Sequence, residues 1–163
     1  MTKNIFDKTF EILTSKRLKV VDKDIERPWG GFFVISEDNA QDFSNIYFNG
    51  LITEDLKVSG KLSPKILIIA PNKRISWQYH HRRSEIWKVV NGEINVVTSH
   101  DDVERKETIL KEGDEIRLSK GERHRAIGLE DYAVIAEIWI HTDKDNPSDE
   151  NDIVRIQDDF DRN

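Results

Sequence analysis

From Lys65 onward the chain repeats one pattern, a short β-branched and apolar run followed by a turn. The runs cover residues 66–70, 75–80, 86–90, 93–98, 107–110, 115–118, 124–129 and 133–140. Between them stand Pro71-Asn72, Asn91-Gly92, His100-Asp101-Asp102, Glu112-Gly113-Asp114, Lys120-Gly121 and Glu130-Asp131. Many short strands at nearly regular spacing predict an all-β antiparallel barrel or sandwich. No helical pattern alternates with them, so a parallel α/β sheet is disfavoured. Asn91-Gly92 is expected to close a hairpin, since both residues tolerate positive φ.

The first part of the chain is less regular. Ile5, Phe6, Phe10, Ile12 and Leu13 are spaced loosely at three to four and predict a helix over 4–21, with basic Lys16-Arg17 toward its end. Arg27-Pro28-Trp29-Gly30-Gly31 reads as a turn, and 32–35 as a strand. Residues 36–63 are polar and irregular and are too short to bury a core of their own. They read as an insertion that carries one short helix capped by Asp42. The expected organisation is therefore an N-terminal arm, 1–25, and one domain, 26–163, that includes the insertion. The acidic tail from Thr142 is expected to wrap the surface before 153–156 docks.

Composition narrows the function classes. A chain of 163 residues, 37% of them hydrophobic, supports one domain with a real core. There is no cysteine, which excludes disulfides and thiolate metal sites. The net charge of −6 argues against nucleic acid as a general partner. No apolar run reaches the ~18–20 residues of a membrane span, and the N-terminus lacks a signal-peptide layout. A cytoplasmic location is the expectation. One segment, from Lys73-Arg74 to Arg82-Arg83, is locally basic and reads on charge alone as a solvated rim.

Four side chains stand out together. Gln78 and His80, two apart on a strand, leave the same face, which Ser76 shares. Glu85 follows a polar turn and can open the neighbouring strand pointing back at His80. His124 opens a strand after the Lys120-Gly121 turn. Two imidazoles, a carboxylate and a neutral amide oxygen make a sensible ligand set for a divalent ion. His100 and His141 read as packed or surface residues, and His81 points to the opposite strand face.

This pattern resembles the two motifs of the cupin superfamily. Gln78-Tyr79-His80, Glu85 and Gly92 match the first, with Gln in the first His position. Gly113, Gly121 and His124 match the second, with Ser119 where Pro is usual and Gly128 where Asn is usual. Four longer stretches are similar to the cupin domain of type II mannose-6-phosphate isomerases. They are Arg27-Pro28-Trp29-Gly30, the run from Ser76 to Trp87, Gly121 to Arg125, and Asp152 to Asp158. In many members that domain follows a guanylyltransferase domain, which this sequence lacks. Asp161 and Trp139 depart from the family pattern, where Gly and Gln are usual.

The resemblance implies a double-stranded β-helix (jelly roll), a zinc-type divalent ion on Gln78, His80, Glu85 and His124, and aldose–ketose isomerisation of a phosphosugar. Such a reaction needs a Lewis acid, a base and a cationic grip on the phosphate. Glu137 shares a face with Ala133, Ile135 and Trp139 in a strand apolar on both sides, which makes it the candidate base, with a structural pairing to an Arg as the other reading. Arg125, beside His124, resembles a His-Arg pair of the family linked to catalysis. Lys73, Arg74, Arg82, Arg83 and Arg123 are available for the phosphate. Two further readings stay open, a non-catalytic metal- or sugar-binding cupin and a non-haem iron oxygenase. Gln78 as a fourth ligand argues against the oxygenase. A homodimer is expected, through barrel edges and the N-terminal arm.

Overall fold

The structure, a computed structural model, describes residues 4–162. Two antiparallel sheets face each other. The larger has the order β1 (Val20–Arg27), β2 (Gly30–Ile35), β3 (Lys65–Ile69), β10 (Ala133–His141), β5 (Arg83–Asn91) and β8 (Glu115–Leu118). The smaller runs β11 (Val154–Gln157), β4 (Trp77–Tyr79), β9 (Arg123–Gly128), β6 (Glu93–Ser99) and β7 (Lys106–Lys111). The expected all-β jelly roll is the architecture of the chain.

The larger sheet is apolar on both faces because it packs on two sides. Its inner residues, among them Phe32, Leu67, Ile135, Trp87 and Val89, meet Ile75, Ile94, Val96 and Ala126 of the opposite layer. Its outer residues, among them Phe33, Ile35, Ile66, Ile68, Ile86, Ala136 and Ile138, form a second core. Helix α1 (Ile5–Ser15) and the segment before β3 cover that outer face with Leu13, Phe43, Tyr47, Phe48 and Leu62. Burying side chains of this size stabilises by about 1.5–3 kcal/mol each. The 36–63 excursion is therefore a lid on the outer core, far from the inner layer. Glu37 fastens it, since its two carboxylate oxygens accept the backbone N–H groups of Leu62 and Ser63.

Three local expectations need correction. The first helix ends at Ser15, well before residue 21. Arg17 takes a φ of 59°, Leu18 N–H returns to Leu13 O at 3.0 Å, and the β-branched Val20-Val21 pair opens β1 instead. The short helix α2 (Ala40–Tyr47) starts two residues before Asp42, which lies in its first turn and suits the helix dipole without being the cap. Asn91-Gly92 does not close a hairpin. β5 pairs with β10 and β8 while β6 pairs with β7 and β9, so the turn carries the chain from one sheet to the other. Gly92 is required there, because at φ 81° a Cβ would sit 2.6 Å from Tyr132 O.

Candidate metal centre

Strand pairing stacks the inward-facing polar residues in rows. On the larger sheet Arg83 faces His141, Glu85 faces Trp139 and Trp87 faces Glu137, with Lys65 beyond Glu137. On the smaller sheet Gln78 pairs with His124. The tight link from β4 to β5 folds His80 back over Glu85. His80, Glu85 and His124 come together, all buried, with one ligand atom from each within 4.8 Å of the others.

The hydrogen bonds fix which atoms face inward. His80 Nδ1 lies 2.7 Å from Asp152 O, and His124 Nδ1 lies 2.9 Å from Glu122 O. A carbonyl only accepts, so both Nδ1 atoms carry the proton and both Nε2 lone pairs point at Glu85. His80 Nε2 is 3.3 Å from Glu85 Oε1, and His124 Nε2 is 3.5 Å from Glu85 Oε2. Burial, only partly opposed by Glu85, pushes His80 down to about 3, so the ring stays neutral at ordinary pH. Burial alone would raise the Glu85 carboxyl, but Arg83 above all, with the two imidazoles, holds it down at about 2.

Those acceptors converge without enough donors. The Arg83 guanidinium serves one side, giving Nε to Glu85 Oε1 at 2.9 Å and Nη2 to His80 Nε2 at 3.2 Å. Its remaining hydrogen bonds go to Ser148 Oγ and Asp149 O. On the other side Glu85 Oε2 and His124 Nε2 are buried with no hydrogen-bond partner. Two lone pairs facing each other in a dry interior are costly unless a cation lies between them. The donor set of two imidazole nitrogens and a carboxylate oxygen therefore fits a divalent ion. Gln78 lines the same cavity, and its Oε1 accepts from Ser76 Oγ at 3.0 Å.

Glu137 also lines the cavity. Its two oxygens accept the indole N–H groups of Trp87 and Trp139 at 2.7 and 2.9 Å. Burial, and then the charge on Glu85, pushes the carboxyl up to about 8, against the pull of Lys65 and Arg83. Arg125 is elsewhere. Strand alternation sends His124 and Ala126 inward and Arg125 to the opposite face, where it bonds Ile75 O, Glu104 and Gln157. Its wholly buried guanidinium fastens the outer layer and is not among the cavity-lining side chains. Of the basic residues considered for phosphate, Arg74 pairs with Asp159, Arg82 with Asp149 and Arg123 with Asp102, all outside the cavity, as is Lys73. Arg83 alone of that group reaches inside.

Two supports were not found from the sequence. The indole clamp on Glu137 joins residues 50 apart. Asp152 ties down the turn after His80, its carboxylate accepting the N–H groups of His81 and Arg82 and the Ser148 hydroxyl. Asp152→Asn keeps only one acceptor oxygen for these donors. It is expected to cost about 1–3 kcal/mol, read from the urea midpoint; a shift below the resolution of that midpoint would mean the turn holds itself.

The inner wall of two sheets and its buried trio of two histidines and a glutamate define a cupin. The profile of the family described as mannose-6-phosphate isomerase C-terminal matches residues 52–158. The chain belongs to that family. No curated protein matches it in sequence. Among solved structures it is similar to the capsular polysaccharide assembling protein CapF from Staphylococcus aureus, at 13% identity and a TM-score of 0.58 over 83% of this chain and 34% of that one. It is also similar to Peruvianin-I, a cysteine peptidase from Thevetia peruviana latex, at 17% identity and a TM-score of 0.50 over 60% and 57% of the two chains. A sugar phosphate isomerase from a cupin superfamily, from Silicibacter pomeroyi, matches at 15% identity and a TM-score of 0.43 over 49% and 50%. The first two likenesses show the fold, and the chain spans only part of each of these three proteins. No helix among the described residues is long and apolar enough to cross a membrane.

Proposed function

We propose that the chain is a metal-dependent aldose–ketose isomerase for a phosphosugar of the mannose-6-phosphate type. The observation that carries this reading is a metal-ready trio, two of whose members (His80 and Glu85) line one cavity together with Glu137, a buried carboxyl of near-neutral pKa. The cavity is open to solvent on one side, so a polar ligand can reach its inner wall. His80, Glu85 and His124 would hold the ion, with Gln78 as the fourth ligand, and zinc suits that set. Bound there, a divalent ion polarises a sugar oxygen and stabilises negative charge on it.

The rest falls to the chain. Glu137 takes the proton from one of two adjacent sugar carbons and returns it to the other through an enediol, which a carboxyl with a pKa near the working pH does best. Trp87 and Trp139 fix its orientation. Membership of the isomerase family favours this chemistry over a binding protein that never turns its ligand over. Cytoplasmic sugar metabolism and a homodimer complete the proposal. β1 is an edge strand of its sheet, with Val21 and Ile25 exposed on it and Phe10 on the neighbouring helix, and this supports pairing with a second copy.

A coupled assay with mannose 6-phosphate and fructose 6-phosphate tests the reading, run on protein of measured zinc content. Turnover in both directions is expected, and it should disappear on chelation and return with the ion. Metal-loaded protein inert toward a panel of phosphosugars would leave the binding protein as the better account.

A further inference from the structure

With the basic residues of the 73–83 segment outside the cavity or committed within it, three other guanidiniums line its wall: Arg27 at the end of β1, Arg155 on β11 and Arg162 near the C-terminus. They come from opposite ends of the chain and gather around Arg155. Arg162 is neutralised by Asp158, with contacts of 2.7 and 2.9 Å. Arg27 has Asp24 at 3.0 Å, although its Nε is buried without an aligned acceptor. Arg155 has no carboxylate within ion-pair distance among the described residues. Its Nη1 goes to Arg162 O at 3.2 Å, and its Nε is buried with no partner.

An arginine in that position is costly. Burial pushes the Arg155 guanidinium down from its ordinary value, and the like charges of Arg162 and Arg27 push the same way, opposed by Asp158 and Glu150 at longer range. The other cations of the cavity are paired, Lys65 with Glu150 and Arg83 with Glu85. Guanidiniums that crowd one another around a buried unpaired N–H are relieved by an anion with several oxygens, and the planar fork suits phosphate.

Register places this cluster usefully. Arg155 pairs with Gln78, and Gln78 pairs with His124, so the three share one inward row across β11, β4 and β9. Two strand spacings, about 10 Å, separate Arg155 from His124 along that row. A sugar whose phosphate sits on Arg155 extends its far end toward the trio.

We propose that Arg155, flanked by Arg27 and Arg162, is the anion subsite of the cavity, and that it takes the phosphate of the phosphosugar. The sugar part of this assignment rests on the isomerase reading, whereas the anion part stands on the cluster itself. Arg27, Arg155 and Arg162 are thus binding residues, and the 152–158 stretch serves both the trio, through Asp152, and the phosphate, through Arg155.

Calorimetric titration with inorganic phosphate, on zinc-loaded protein, is the direct probe. Wild type should bind it, and Arg155→Gln should weaken binding by about 10- to 100-fold, the range spanned by the loss of a charged hydrogen bond. Arg155→Lys should recover part of the loss. Arg117→Gln, on an exposed part of β8, should change nothing. Arg27→Gln gives an independent reading should Arg155→Gln fail to fold, and it too should weaken phosphate binding. In the isomerase assay Arg155→Gln should raise KM for the phosphosugar by a similar factor with kcat within a few-fold. Wild type that does not bind phosphate, or Arg155→Gln and Arg27→Gln that bind it as wild type does, would overturn the subsite. Phosphate binding lost in Arg155→Gln, with no phosphosugar turned over by wild type, would keep the subsite and remove the isomerase.

Discussion

Glu85→Gln is expected to cost the metal-free protein roughly 3–5 kcal/mol of folding stability, the range for leaving one member of a buried ion pair uncompensated. Glu85 and Arg83 are both buried, and Glu85 supplies the carboxylate that the Arg83 side chain touches. His80, which also contacts Arg83, is held neutral by burial and contributes no charge. A glutamine preserves the shape and one acceptor oxygen but leaves the guanidinium facing only neutral partners, the Ser148 hydroxyl and Asp149 O among them. Denaturant unfolding in chelator measures the loss. A change under about 1 kcal/mol would mean that those neutral acceptors suffice. The same substitution removes the charged ligand from the trio. Zinc affinity should fall by more than the roughly 10- to 100-fold seen when only an outer-shell partner is lost. Competition with a chelating dye gives that number.

Glu137→Gln is expected to leave zinc bound and to lower kcat by about 100- to 10,000-fold, the contribution of a positioned acid–base group. It has a second signature that needs no turnover. The carboxyl sits at about 8 in the folded protein against an ordinary 4.5. Between those values the folded protein holds a proton that the unfolded chain has released. Stability from this group is therefore full below the lower value and is lost as pH rises through the upper one. Unfolding free energies of the chelated protein from urea titrations between pH 5 and 8 should fall with a slope of up to about 1.4 kcal/mol per pH unit, and Glu137→Gln should flatten it. An unchanged slope in the variant would place the titrating proton on another group. An unchanged kcat would mean that the base is elsewhere.

The strand pattern made most of the architecture legible, because period-two alternation and turn residues are local signals. The same alternation brings Gln78, His80 and Glu137 to the inner wall, turn position brings Glu85 and His124 to strand starts, and sequence resemblance joins the four ligands into one set. What stayed hidden depends on which sheet a strand joins. Nothing near Asn91-Gly92 says that β5 and β6 part company there, since a tight turn serves a hairpin and a corner equally well. The direction of Arg125 could be read, because it follows an inward His124 and must face outward; the resemblance to a His-Arg pair pointed the other way. The companions of Arg155 could not be read at all. Arg27 lies 128 positions before it by their residue numbers, and only the pairing of β11 with β4 brings the tail to the cavity.

The tryptophans have a consequence beyond orienting a carboxyl. Of four in the chain, Trp29, Trp87 and Trp139 line the cavity. Trp139 lies under both Lys65 and Arg83, at 3.3 and 3.5 Å from its ring, and its indole N–H shares Glu137 with that of Trp87. Indole emission responds to nearby charge, so an ion on the trio, a proton on Glu137 or an anion beside the arginines each alters the field at one of these rings. The chain carries its own optical gauge of occupancy, and filling can be followed in real time without a label.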